Sequence, residues 1–137
     1  MERTLAIIKP DAVENRCIGS IVKRIESEGF RVCAMRLLQL TTKDASSFYA
    51  VHNAKPFFSG LISFMCSGPV VVLALEAPDA ISRWRQVMGN TDPQKAAAES
   101  LRREFGTSIE RNATHGSDAV ETATSELAFF FRESELS

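Results

Sequence analysis

The spacing of apolar residues changes repeatedly along this chain, and each change marks a boundary between elements. Thr4 to Lys9 (TLAIIK) is a nearly unbroken apolar run, which predicts a buried first strand closed by Pro10-Asp11. Ile18, Ile21, Val22 and Ile25 then fall at i, i+3, i+4 and i+7 on one face of a helix, with Gly29 placed to end it. Phe30 to Leu40 reads as a strand through Phe30, Val32, Ala34, Leu38 and Leu40, with one break in the alternation. Two short helices follow, one carrying Ala45, Phe48, Tyr49 and His52, the other Phe58, Leu61, Ile62 and Met65 behind an opening turn at Pro56. Ser67-Gly68-Pro69 interrupts the chain before the β-branched run Val70–Leu75, a second buried strand. Pro78-Asp79 opens a helix with Ile81, Trp84 and Met88 on one side, and Gly89 stops it. Periodicity then fades over the 28 residues from Asn90 to Ser117, apart from a helical turn at Leu101–Phe105. Asp118 with Glu121 signals the start of a last helix reaching about Glu126, and Leu127–Phe131 reads as the final strand.

The resulting order, β-α-β-α-α-β-α-irregular-α-β, is that of an α/β sandwich with helices over a small sheet. Periodicity alone leaves the strand directions open. Composition changes little in this picture: 45% hydrophobic and 24% charged residues with 7 Gly and 5 Pro describe a compact globule, read as a single domain over residues 1–137. Lys plus Arg number 16 against 17 acids, a net charge of −1, so no overall basic field gathers nucleic acid or anionic lipid, and any phosphate site must be built locally. The longest strictly apolar run, Val70–Leu75, is far short of a membrane span. Met1-Glu2-Arg3-Thr4 leads directly into the first strand without a basic leader, which together with three cysteines that cannot all pair (Cys17, Cys33, Cys66) predicts a reduced, cytoplasmic protein. Two histidines and no CxxC pair argue against a zinc set.

Long unpatterned segments inside compact domains usually carry function. This one holds Arg102 and then Asn112, His115 and Ser117, in the run R-N-A-T-H-G-S-D that Arg111 opens and Asp118 closes just past the segment. A loop histidine commonly serves only to bond a backbone carbonyl. A neutral imidazole is also a nucleophile near neutral pH, needing no separate base. Lys9 ends the first strand, Arg85 lies on the helix ending at Met88, and Thr91 follows Gly89. Each taken singly reads as a solvated charge or a cap. Taken together, an ammonium, two guanidiniums and hydroxyls near a histidine suit a polyphosphate, because phosphoryl transfer depends on positioning and charge neutralisation. Phe58 falls on the apolar stripe of its helix, whereas Phe57 falls off it and is either half-buried or free to stack on a base.

With these residues in place the sequence resembles the nucleoside diphosphate kinase family, nearly end to end. The resemblance is carried by T-L-A-I-I-K-P-D (Thr4–Asp11), Tyr49, His52 with K-P-F-F (Lys55–Phe58), M-C-S-G-P-V-V (Met65–Val71) and G-N-T-D-P (Gly89–Pro93). R-N-A-T-H-G-S-D (Arg111–Asp118), Glu126 and F-F-F (Phe129–Phe131) complete it. It implies a ferredoxin-like fold: a four-stranded antiparallel sheet covered by helices, with Ala45–Cys66 as an inserted helical pair. It implies ping-pong transfer of the γ-phosphate of ATP or another nucleoside triphosphate to His115, and from there to a nucleoside diphosphate. His115 would attack through Nδ1, poised by Glu126 and Ser117. Lys9, Tyr49 and Asn112 would surround the sugar hydroxyls and the transferred group. Arg85, Thr91, Arg102 and His52 would hold phosphates, and Phe57 would stack on the base. Mg²⁺ would arrive on the nucleotide without direct protein ligands, and the chain would assemble as a homotetramer or homohexamer. One departure stands out: the family's usual Gly-Thr before Arg102 is Glu99-Ser100 here. A catalytically silent relative and an RNA-binding sheet are the competing readings, the second disfavoured by the acidic balance.

Overall fold

The computed structural model describes residues 1–136; Ser137, the last position of the expected domain, lies outside the described residues. The sheet has four strands in the order β2-β3-β1-β4: β1 is Glu2–Ile8, β2 Arg31–Leu38, β3 Val70–Ala77 and β4 Thr114–Gly116. All pairings are antiparallel, with Leu5 opposite Ala74, Ile7 opposite His115 and Leu37 opposite Val71; a register irregularity at Cys33 moves β2 from one core, which Val32 joins, to the other, which Ala34 and Leu38 join. The two central strands read as continuous apolar runs because helices cover both faces of the sheet. Ala6, Ile8, Val71, Leu73 and Leu75 point to one core, and Leu5, Ile7, Val70, Val72 and Ala74 to the other.

The first core is roofed by α1 (Pro10–Glu14), α2 (Ile18–Ser27), α5 (Ala80–Met88) and α6 (Leu101–Phe105). Gly29 ends α2 as expected, at φ 94°. Its N–H bonds to Glu26 O while Phe30 N–H reaches Ile25 O, closing the helix with a Schellman motif. The second core lies under α3 (Thr42–Phe48), α4 (Phe58–Met65) and α7 (Val120–Phe130), with a 3₁₀ turn at Ala50–His52 between α3 and α4. Thr41 starts α3 with a reciprocal capping box to Asp44.

Three expectations need correction, all near the C-terminus. The final strand is not Leu127–Phe131, which instead completes α7 and leaves Phe131 extended beyond it. Ala123, Leu127 and Phe130 are buried at helical spacing while Ala128 and Phe129 face outward, so packing against the sheet overrides the β-propensity of three phenylalanines. The fourth strand is Thr114–Gly116, inside the segment that lacks periodicity; three residues are too few to show a period. Glu121 does not cap α7: Thr122 reaches back instead, its Oγ1 accepting the Ala119 N–H at 3.0 Å.

The fold holds β4 by a close fit to α5. Trp84, fully buried, donates its indole N–H to His115 O at 3.2 Å. A Cβ on Gly116 would lie 2.5 Å from Trp84 Cδ1 and 2.6 Å from Met88 Cε, so only glycine lets the strand approach. Gly116→Ala is expected to cost about 1–3 kcal/mol through overpacking, measured as a lower urea midpoint; an unchanged midpoint would show that Trp84 and Met88 do not pin the strand.

Candidate active site

His115 occupies the middle of β4, and its pairing with Ile7 fixes the backbone from which the ring projects. The ring is 18% exposed. Its Nε2 lies 3.1 Å from Glu126 Oε1 on α7, and the Ser117 hydroxyl donates to the same oxygen at 2.7 Å. A carboxylate oxygen accepts, so Nε2 carries the ring proton and Nδ1 keeps its lone pair. Ser117 is in turn held by β1: its Oγ accepts the Leu5 N–H, and its own N–H donates to Leu5 O, both at 3.2 Å. The Phe48 and Tyr49 rings stand edge-on to the imidazole, with centroids at 5.6 and 6.1 Å. The Tyr49 hydroxyl is buried without a hydrogen-bond partner, and burial, then the Glu126 carboxylate, push its pKa well above the ordinary tyrosine value.

A second group lies along the same strands. Lys9, just beyond β1 and only 8% exposed, donates from Nζ to Asn112 Oδ1 at 2.8 Å. Asn112 Nδ2 donates to Thr91 O at 3.0 Å, tying Lys9 to the loop after Gly89. Arg102 spans the gap, with Nη1 on Gly89 O at 3.1 Å and Nη2 on Thr114 O at 2.9 Å, next to His115. Its Nε is buried without a partner. The Arg85 side chain is exposed and makes no hydrogen bond or ion pair among the described residues. The cations repel one another. Lys9 is held down to about 8 by burial, then by Arg102, against the opposing pull of Asp11 and Glu110. Arg102 is held down to about 10 by burial and then by Arg85.

The remaining candidates form a third group. His52, in the 3₁₀ turn that continues α3, has its ring 5.7 Å from that of Phe57, and its Nδ1 is buried without a partner. Phe57 is 51% exposed, with Lys55 Nζ 5.7 Å from its ring centroid. Among the described residues their side chains make no hydrogen bond to the His115 group; the link is the backbone, His52 N–H donating to Tyr49 O at 2.9 Å just beyond α3, whose Phe48 ring meets His115. The Glu99-Ser100 departure leaves the Arg102 helix capped. Ser100 Oγ accepts the Arg103 N–H and donates to Ala97 O, while Glu99 O accepts from Arg24.

The family model described as "Nucleoside diphosphate kinase" matches residues 2–136. The chain belongs to the nucleoside diphosphate kinase family. Its relatives include the nucleoside diphosphate kinases of Syntrophotalea carbinolica, 59% identical over 96% of each chain, and Halorhodospira halophila, 54% identical over 99% of this chain and 96% of the other. The structure of the Aquifex aeolicus nucleoside diphosphate kinase matches with a TM-score of 0.97 at 45% identity over 99% of each chain. That of the Halobacterium salinarum enzyme in complex with CDP matches at 0.95 and 40% identity, over 99% of this chain and 91% of the other. The protein is therefore a phosphotransferase acting between nucleoside triphosphates and diphosphates.

Within that family site, two residues escaped the sequence reading. Phe48 registered only as an apolar helix position, yet it packs against the His115 ring. Asp11 registered as part of a turn and of the Thr4–Asp11 motif but with no role, yet its carboxylate accepts the Ala113 N–H at 3.0 Å, two residues before His115. A cavity of about 770 Å³ lies elsewhere, lined by Glu2, Arg3 and Leu136 at the other end of β1 from Lys9, away from this chemistry.

The lowered Lys9 pKa has a kinetic signature. A lysine that serves phosphate as its ammonium loses that charge above its pKa, so with Lys9 in this role kcat/KM should fall as pH rises through about 8. Bound phosphates favour the charged form, so the corresponding limb of kcat should lie higher. Lys9→Met should lower kcat/KM about 10- to 100-fold, the size of a lost charged hydrogen bond, and abolish that limb; a limb that survives belongs to another group.

Proposed function

We propose that His115 is the residue that carries the phosphoryl group between nucleotides. The observation supporting this most directly is the set of mutually repelling cations, Lys9, Arg85 and Arg102, beside an imidazole whose Nδ1 is free to attack. Nδ1 forms a bond to the γ-phosphorus as the bond to the bridging oxygen breaks, and the electron pair leaves on the nucleoside diphosphate. The second half-reaction reverses these steps with a different diphosphate, so one site serves both and the kinetics are ping-pong. Glu126 and Ser117 hold the ring and its Nε2 proton. Lys9, Asn112 and Tyr49 lie toward the sugar and the transferred group, while Arg85, Arg102, Thr91 and His52 meet the phosphates.

Phe57 stacks on the base. A π face without base-edge hydrogen bonds accepts purines and pyrimidines alike, in keeping with a relative that binds CDP. Substrates are accordingly ATP, GTP and other nucleoside or deoxynucleoside triphosphates and diphosphates. The metal is Mg²⁺ carried on the nucleotide. Among the described residues no cluster of three His, Cys, Asp or Glu side chains forms a cage, and the site's donors are cationic and amide groups that suit phosphate oxygens. When bound, Mg²⁺ would offset charge on the phosphates. Residues 1–137 act as one domain, since β1 pairs with both β3 and β4. The chain works as a homo-oligomer, a tetramer or hexamer. Supporting self-association, β2 is an edge strand with Met35 and Leu37 more than half exposed. No helix among the described residues is long and apolar enough to cross a membrane, and the place of action is the cytoplasm.

Two measurements test this reading. Incubation with ATP labelled at the γ-phosphate should leave an acid-labile, base-stable label that passes to any added nucleoside diphosphate and is absent from His115→Ala. Labelling that persists in His115→Ala refutes the assignment. Arg85→Ala should lower kcat/KM about tenfold or more, the scale of a charge-assisted contact, while shifting stability by less than about 0.5 kcal/mol, as expected of a surface substitution. A variant that unfolds instead would make Arg85 a structural residue.

A further inference from the structure

Ala113 has φ at 73°, in the region L side chains rarely adopt. The next amide, Thr114 N–H, donates back to Asn112 O at 2.9 Å. This is a γ-turn of the strained, positive-φ kind, uncommon in proteins. It lies between Asn112, which grips Lys9 and the Thr91 loop, and His115. Strain of this type persists only where the surroundings over-determine it.

The surroundings here are one short stretch of chain. Lys9 N–H donates to Ala113 O at 2.8 Å, Asp11 Oδ2 accepts the Ala113 N–H at 3.0 Å, and Lys9 Nζ holds the Asn112 side chain. Both backbone groups of the strained residue are thus taken by Lys9 and Asp11. Asp11 is 6% exposed, and its second oxygen is buried without a partner. A half-satisfied buried carboxylate is costly, and burial raises its pKa. No step of the phosphotransfer uses it.

We propose that Asp11 is a positioning residue for phosphoryl transfer: by accepting the Ala113 N–H it holds the γ-turn that sets Asn112 and His115 in register. The proposal rests on His115 as the phosphoryl acceptor. Ala113 is fully buried, so without an acceptor its N–H would be stranded. The turn would then relax toward negative φ, and β4 would carry the imidazole away from its alignment with the phosphates. Glycine at 113 adopts positive φ without steric cost, so it should tolerate the loss of the clamp.

The test is the first-order rate of phosphohistidine formation at saturating ATP and pH 6.5, where Lys9 stays charged. Wild-type protein that forms no phosphohistidine would refute the acceptor assignment itself, separately from the role of Asp11. Asp11→Leu should slow the step at least tenfold, Asp11→Asn, which keeps an oxygen acceptor, should stay within about threefold of wild type, and Asp11→Leu with Ala113→Gly should recover most of the loss. An Asn variant as slow as Leu, a double variant no faster than Asp11→Leu, or a Leu variant at full rate would each overturn the proposal. Should Asp11→Leu fail to fold, hydrogen exchange decides in the Asn variant: the Ala113 amide should stay protected while the rate holds. An unprotected amide at full rate would show that the clamp does not position the site.

Discussion

One carboxylate oxygen organises the surroundings of the imidazole. Glu126 Oε1 receives both the His115 Nε2–H and the Ser117 hydroxyl, and those residues belong to a strand end fastened to Leu5 of β1. The contact selects the tautomer, sets the ring orientation and leaves Nδ1 as the only nucleophilic nitrogen. Such an arrangement needs a donor strand and an acceptor helix in fixed relation. β4 supplies the first over three residues, and α7 supplies the second by packing Ala123, Leu127 and Phe130 on the sheet. Neither element is long. The precision comes from what covers them, with Trp84 against Gly116 on one face and Phe48 against the imidazole on the other.

The cations obey a different logic. Lys9 and Arg102 are withdrawn from water and repel neighbouring positive groups, so the protein without nucleotide carries an electrostatic cost. Arg102 reduces part of it by bonding two backbone carbonyls, Gly89 O and Thr114 O, which also joins the α5 stop to β4, the strand of His115. The proposed polyphosphate would relieve the rest. The Arg85 side chain is exposed and has no hydrogen-bond or ion-pair partner among the described residues to give up.

Much of this was legible from sequence wherever the apolar pattern was long. TLAIIK and VVVLAL gave the central strands, and the Ile18–Ile25 spacing gave α2, because each repeats its period enough times to be recognised. The same logic failed at β4, which is too short to display a period, and at Phe129–Phe131, where local propensity pointed to a strand and burial of every third or fourth residue produced a helix end. The candidate site could be drawn from sequence only as a set of residue types: His115, Lys9, Asn112, Arg85, Arg102 and Glu126 stand in recognisable motifs. Their connections could not. Nothing in an alanine announces a positive φ, and Asp11, next to Pro10 at a helix start, looks like turn chemistry until its partner across 102 positions is seen. The Glu99-Ser100 departure resolved simply, since a serine hydroxyl caps α6.

The central claim, that Glu126 engages Nε2 and leaves Nδ1 to react, is tested most directly by the site of phosphorylation on the ring. Protein containing ¹⁵N-labelled histidine, phosphorylated with ATP and examined by ³¹P–¹⁵N correlation NMR, should show phosphorus bonded to Nδ1 of His115. Phosphorus on Nε2 would contradict it, because that nitrogen would have to abandon the carboxylate to attack.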